Sequence, residues 1–308
     1  MKQEMNLNTL VERFHSEDNC RKYLAALRWP KGITCPRCGS TSVSDIYTRN
    51  QLDCNSCRYR FSVTSGPVFH DSHLPLWKWF ATTYLMVESK KGISANQIKR
   101  TLGVSYKTAW YLCHRIRAAM AEATPAPLSG TVEADETLVG GKRLRRKSNY
   151  RDNKAMVMGV IERGGRVRLE MADVRHKDLS REMAHEFLRR HTLPELERLI
   201  TDEHWAYRGF ADADTKHEMV NHGDKEWVRG DVHTNTVENV WSLLQRSIIG
   251  SYHKLSFKHL DAYLDELEWR FNNRKNPYLF RETMRRLLAA LALPYSKLVA
   301  ISDDRKHE

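Results

Sequence analysis

The sequence predicts an α/β protein: a mixed-sheet domain of about 150 residues, preceded by a helix, a small four-cysteine module and a helical pair. Two Cys-x-x-Cys pairs lie in the first fifth of the chain. A breaker-rich run, Thr-Pro-Ala-Pro-Leu-Ser-Gly at 124–130, separates helical patterns from strand-like ones. Beyond that run strands come first, followed by mixed helices and a further strand.

Of the 308 residues, 50 are Lys or Arg and 38 are Asp or Glu, a formal net charge of +12. That surplus argues against an acidic tail or a generic small-molecule enzyme and points to a polyanion such as nucleic acid. The hydrophobic share of 41% is enough for a packed core. No apolar run approaches the roughly 20 residues that cross a bilayer, so no membrane partner is expected. Residues 1–10 lack the pattern of a secretory signal. Six cysteines, four of them in tight pairs, do not resemble a secreted disulfide framework, so a reducing, cytoplasmic setting is expected.

Residues 1–29 read as an N-terminal helical segment: Leu7, Leu10, Val11, Phe14, Tyr23, Leu24 and Leu27 recur at mostly helical intervals, and Pro30 stops the pattern. Residues 30–70 are short extended pieces around Cys35, Cys38, Cys54 and Cys57. Paired thiolates two residues apart on two turns complete a tetrahedron around one zinc; with four protein ligands that metal is structural. Gly39 suits the turn after the first pair. The module would present Arg37, Arg49, Arg58 and Arg60, while Cys20 and Cys113 lie in helical patterns and read as small buried residues.

Residues 71–123 read as a helix-turn-helix region. Ser94 and Ser105 stand at N-cap positions and Gly103 at the turn. Ile98, Leu102, Val104, Ala109, Leu112 and Ile116 form the shared core. The second helix then offers Tyr106, Lys107 and Thr108 at its start, with Arg115 and Arg117 further along for phosphates. An ordinary helical hairpin with a solvated basic face is the competing reading.

In the mixed domain, residues 131–280, strands are expected at Thr131–Val139, Lys154–Ile161 and Arg166–Ala172, the last two joined by the hairpin turn Glu162-Arg163-Gly164-Gly165. Residues 281–308 read as a C-terminal helical tail. Acidic residues are depleted from strands, so the cluster Glu133, Asp135 and Glu136 invites a functional account. A second strand ends in Asp202, and Glu238 follows Asn235 at the start of a helix carrying Val240, Trp241, Leu244 and Ile248. Two strand carboxylates and one on a facing helix can clamp two hard divalent cations, the arrangement used for in-line displacement at phosphorus. Asn235 and Glu238 also have the spacing of a capping box, and Asp202 could cap a helix.

Taken together these motifs resemble the zinc-ribbon DDE transposases of bacterial insertion sequences, in the ISXO-like group. The resemblance runs from about Arg28 to Arg274. It rests on Cys-Pro-Arg-Cys-Gly-Ser at 35–40, Leu-Gly-Val-Ser-Tyr-Lys-Thr-Ala-Trp at 102–110 and Gly-Thr-Val-Glu-Ala-Asp-Glu-Thr at 130–137. Thr-Asp-Glu at 201–203, His-Thr-Asn-Thr-Val-Glu-Asn-Val-Trp at 233–241 and Arg-Phe-Asn-Asn-Arg at 270–274 extend it. It implies an RNase H-like catalytic domain that uses two Mg2+ or Mn2+ ions. Asp135 and Asp202 are the first two acids; Glu238 is chosen as the third because an anionic oxygen is the stronger magnesium ligand, with Asn235 as the alternative. Gln245 stands where a basic residue often lies, leaving the phosphate contact to Arg246. The run Lys142, Arg143, Arg145, Arg146 and Lys147 is expected to neutralise DNA phosphates. The implied activity is cleavage of double-stranded DNA at element ends and strand transfer to a target, by a homo-oligomer on DNA. A DNA-binding regulator without catalysis and a nuclease of the same fold are the rivals.

Overall fold

The computed structural model describes residues 5–140, 154–172, 178–210, 215–221, 223–224 and 226–300. They fall into two compact units, residues 1–121 with 275–308, and residues 122–274. None of the described helices is long and apolar enough to cross a membrane.

The first unit begins with α1 (Leu7–Arg13) and α2 (Glu17–Arg28), capped by the side chains of Asn6 and Ser16, which accept from the Thr9 and Asn19 N–H groups. Three short antiparallel strands follow in the order β1 (Val43–Ile46), β2 (Gln51–Cys54) and β3 (Arg60–Phe61). Three helices complete this stretch: α3 (Leu76–Glu88), α4 (Ala95–Leu102) and α5 (Tyr106–Met120). The helix Leu279–Ala289 packs against α2, α3 and α5. Its Phe280 joins the rings of Phe14, Tyr23 and Phe80. Residues 281–289, read as part of a C-terminal helical tail, help build the core of the first unit through Thr283, Met284 and Leu287, and Phe280, read with the mixed domain, joins them on the same buried face.

The second unit is a five-stranded mixed sheet with helices on both faces. Its strands are β4 (Thr131–Gly140), β5 (Lys154–Glu162), β6 (Val167–Met171), β7 (Arg198–Thr201) and β8 (Lys216–Met219). Across the sheet they run β6-β5-β4-β7-β8; β4, β5 and β6 are antiparallel neighbours, while β4, β7 and β8 are parallel. Side chains alternate across a strand, and the two faces have separate cores. On one face Val132, Ala134, Met158, Val160 and Leu199 meet Ala184, Phe187 and Leu188 of α6 (Arg181–His191). On the other, Val157, Ile161, Val167 and Leu169 meet α7 (Asn235–Ser247) and α8 (Leu260–Asn272), through Val237, Val240, Trp241, Leu244, Leu260, Leu264 and Leu267.

The β6 edge of the sheet is covered by α8. Met171, Leu169 and Val167, alternate residues along β6, donate their N–H groups to Asp261, Glu268 and Asn272, at 3.3, 3.1 and 2.8 Å. An edge strand left open would template pairing with another chain, and here side chains spaced along one helix stripe take its donors. Asp265 lies on the same stripe. Burial, helped by Glu268 and Asp261, pushes its carboxyl up to about 7.

Because the folded state holds Asp265 above its unfolded value, the stability this group contributes is complete in acid and is lost as pH rises through about 7. Asp265→Asn is therefore expected to be more stable than the parent at pH 8, by no more than about 4 kcal/mol, with the gap closing toward pH 4. Thermal melts across that range check this; an equal gap at both ends contradicts it.

Candidate active site and cysteine centre

Asp135 and Asp202 are brought to adjacent parallel strands. The register pairs Glu133 with Ile200, and each aspartate lies two residues further along its chain segment. Asp202, just past the end of β7, turns back to accept the His204 N–H at 3.0 Å. Asp135 accepts the Glu136 N–H at 2.9 Å and the Trp241 indole N–H at 2.8 Å. Burial, then the neighbouring Glu136 and Asp202 charges, push the Asp135 carboxyl up to about 8 against the pull of the indole. Glu136 points to the opposite face of β4, where Tyr207 donates its hydroxyl at 2.8 Å. Tyr207 follows Asp202 in a short 3-10 turn, Trp205–Tyr207, so this bond ties the segment carrying Asp202 back to β4.

The helix across the sheet is fastened to the same strand. Glu133, fully buried, accepts from the N–H groups of Thr236 and Val237, from the Thr236 hydroxyl and from Arg163 Nε, at 2.7, 3.2, 2.8 and 2.7 Å. Arg163 also donates to the His233 carbonyl at 3.0 Å. The capping box that the spacing of Asn235 and Glu238 also allowed is replaced by this contact. The N-cap is Thr234, whose hydroxyl donates to Glu238 at 3.1 Å rather than serving a backbone N–H. Trp241 reaches Asp135 because β5 opposes Asp135 with Gly159. A Cβ at Gly159 would fall 2.5 Å from the indole Cη2 and 2.7 Å from Cζ2.

In the first unit the sulfurs of Cys35, Cys38, Cys54 and Cys57 all lie within 4.8 Å of one another. The closest pairs, 3.7 Å for Cys35–Cys57 and 3.5 Å for Cys38–Cys54, are far longer than a disulfide. Each pair sits on the same kind of turn. Gly39 N–H returns to the Cys35 carbonyl and Arg58 N–H to the Cys54 carbonyl, with both Gly39 and Arg58 in the left-handed region. N–H donors of Cys57 and Ser56 help bring the Cys54 thiol down to about 6.

Residues 127–272 match the model of the ISXO2-like transposase domain, almost the whole second unit, and residues 15–60 match that of the transposase zinc-ribbon domain. By these matches the chain is similar to the zinc-ribbon transposases of ISXO2-like type. An uncharacterized protein in transposable element ISH50 of Halobacterium salinarum is 28% identical over 293 residues, covering 84% of this chain and 92% of its own length.

Within residues 127–272, Asp135 and Asp202 come close enough for their charges to interact, while Glu136 leaves the other face of β4. Glu238 stays exposed on the first turn of α7, one turn before Trp241, and Asn235 is exposed next to the N-cap. Among the described residues no three carboxylates close to within 4.8 Å as the four sulfurs do. Arg246 is exposed, its Nε on the Ser242 carbonyl. The basic residues Lys142, Arg143, Arg145, Arg146 and Lys147 lie outside the described residues.

In the first unit, Ser94 and Ser105 cap α4 and α5, and Gly103 turns between them at φ 59°. Tyr106 and Lys107 are exposed and Thr108 is half-buried, with Lys107 Nζ 4.4 Å from the Tyr295 ring centroid. Arg115 corrects the sequence reading. It is 3% exposed, donates to the His70 carbonyl at 2.6 Å and lies over the rings of Trp79 and Tyr111, so it is spent inside the unit. Arg117 is buried as well. By contrast Arg37, Arg49, Arg58 and Arg60 are all exposed.

Sequence reasoning missed Glu133, Trp241 and Gly159 as the parts that seat α7. One signal was available: period-2 alternation places Glu133 and Asp135 on one face of β4 and Glu136 on the other.

Gly159→Ala is expected to cost about 1–3 kcal/mol in a denaturant melt, because the indole has to leave its seat. Combined with Trp241→Phe, the cost is expected to be less than the sum of the two single costs, and strict additivity contradicts the contact.

Proposed function

We propose that this protein is an insertion-sequence transposase that cuts DNA at element ends and joins the freed ends to a target. The observation that carries the reading is the pair Asp135 and Asp202 on neighbouring parallel strands, with α7 fastened over the first of them. The strand order β6-β5-β4-β7-β8, three antiparallel strands followed by two parallel ones, supports an RNase H-like domain. Asp135, Asp202 and Glu238, with Asn235 as the alternative to Glu238, offer hard oxygen donors that suit two Mg2+ or Mn2+ ions. Such a pair, when bound, supplies activation of the attacking oxygen and stabilisation of the leaving one.

The protein's own groups orient the acids. Trp241 holds one Asp135 oxygen, the His204 N–H holds Asp202, and Tyr207 with Glu136 ties that segment to β4. In the first step water attacks the phosphorus at an element end, the bond to the 3′-oxygen breaks, and a 3′-hydroxyl and a 5′-phosphate result. In the second, that 3′-hydroxyl attacks a target phosphodiester, a new 3′-oxygen–phosphorus bond forms, and a target 3′-hydroxyl leaves. The chain has to position and neutralise; no covalent enzyme intermediate is required.

DNA binding is assigned to the first unit and to the basic run. The four sulfurs fit zinc: a tetrahedron with Zn–S near about 2.3 Å has edges of about 3.8 Å, close to the 3.5 and 3.7 Å found. That module offers Arg37, Arg49, Arg58 and Arg60, and α4 with α5 acts as a helix-turn-helix presenting Tyr106, Lys107 and Thr108. Lys142, Arg143, Arg145, Arg146, Lys147 and Arg246 serve DNA phosphates, and an oligomer pairs the two ends.

Short duplexes bearing the element ends, incubated with Mg2+ or with a chelator, test the chemistry. Cleavage and joining are expected with the metal only, and Asp135→Asn or Asp202→Asn is expected to lose more than about a hundredfold in rate while still binding the ends. Unchanged cleavage in both variants contradicts the role given to the acids, and a parent that binds the ends but never cuts them leaves only a binding protein. Cleavage without joining of pre-cut ends leaves a nuclease.

Zinc content provides a separate check. Cys54→Ser is expected to lose the metal, and with it the fold of the ribbon and end binding. A variant that binds the ends as the parent does contradicts a structural zinc.

A further inference from the structure

We propose that Glu133 is a positioning residue of the reaction: it sets where α7 places Glu238 relative to Asp135, and so sets the affinity of the acids for a divalent cation. The inference rests on the reading above, in which Glu238 completes the ligand set. Glu133 touches neither reacting atoms nor cation in this account; it acts through the helix.

The argument is one of two fastenings. Glu133 and Asp135 leave β4 on the same face, two residues apart, which is about 7 Å along a strand. Their partners on α7 are the N–H groups of Thr236 and Val237 for Glu133, and the indole of Trp241 for Asp135. Val237 and Trp241 are four residues apart, which is about 6 Å along a helix. The two spacings match, so strand and helix are joined at two points of nearly equal separation. A helix held at one point can pivot, whereas two points fix its slide and its rotation. Glu238 lies between them, directly after Val237 and one turn before Trp241.

The first fastening is provided by β4. Thr234 at the N-cap makes no side-chain bond to the helix backbone, and its hydroxyl goes to Glu238 instead. The first-turn N–H groups that an N-cap would serve are taken by a carboxylate from the central strand. Arg163 and His233 flank that carboxylate, with His233 Nδ1 3.4 Å from Oε1, and Arg163 bonds the His233 carbonyl just before the helix. Four donors converge on one buried side chain. A Gln in its place puts an NH2 group among them and breaks the set without changing the volume.

The test is Mn2+ binding to the zinc-loaded full chain without DNA, followed by the loss of the free-ion EPR signal. Asp135→Asn is expected to abolish binding, and Glu238→Gln to weaken it at least about tenfold. Glu133→Gln is expected to weaken it about tenfold as well, and Glu133→Gln with Glu238→Gln to be no weaker than Glu238→Gln alone. If Glu133→Gln does not fold, Thr236→Val removes a single donor and is expected to show the same lack of additivity at a smaller loss. Parent-like Mn2+ affinity in Glu133→Gln, or a loss that multiplies with that of Glu238→Gln, overturns the positioning role while the proposed function stands. A parent chain that binds no Mn2+ at the acids overturns both.

Discussion

A carboxylate cannot be buried in a sheet interior without donors, and Glu133 takes its donors from the first turn of α7. The cost of desolvating such a charge is several kcal/mol, and it is offset only where every oxygen is engaged. That requirement decides where α7 starts, how it lies on β4 and which of its residues look toward Asp135. Gly159 is part of the same solution, since the strand beside Asp135 has to be bare for the Trp241 indole to reach it. Asp135 therefore sits between a central strand and a helix seated on that strand at two points. Precise placement of charged oxygens is what a cation-dependent phosphoryl transfer demands of a protein.

The first unit solves a different problem by different means. Residues 30–70 have few core positions of their own, chiefly Leu52 and Phe61 with the four cysteines around them. Bringing four sulfurs together replaces the core that so short a segment cannot build. The helices beside it use their aromatic residues for packing, and the helix Leu279–Ala289 closes that core with Phe280. Arg115 shows that a net charge of +12 is not a count of free cations. Its guanidinium is a structural group, held by a carbonyl and two rings.

Local chemistry was legible in the sequence wherever it is governed by neighbours along the chain. The strands β4, β5 and β6 and the hairpin at Glu162–Gly165 follow from alternation and turn residues, and the caps at Ser94 and Ser105 from residue type. The four cysteines follow from their spacing. What stayed illegible depends on partners far apart in the chain. Glu133 meets Thr236, and Asp135 meets Trp241, across about a hundred residues, and no periodicity reports such a pairing. For the same reason Asn235 looked like a helix cap, when the carboxylate that serves the helix comes from a strand. Arg115 looked like a phosphate contact because its spacing on α5 does not say which side of that helix is covered.

The account turns on whether Asp135, Asp202 and Glu238 share a cation. The most direct measurement is an anomalous difference map from crystals of the zinc-loaded chain grown with Mn2+. The account predicts manganese between the Asp135 and Asp202 carboxylates, at coordination distance from both, with the Glu238 carboxylate or the Asn235 carbonyl oxygen completing the site. Manganese bound elsewhere, or a saturated crystal with none at these acids, contradicts it.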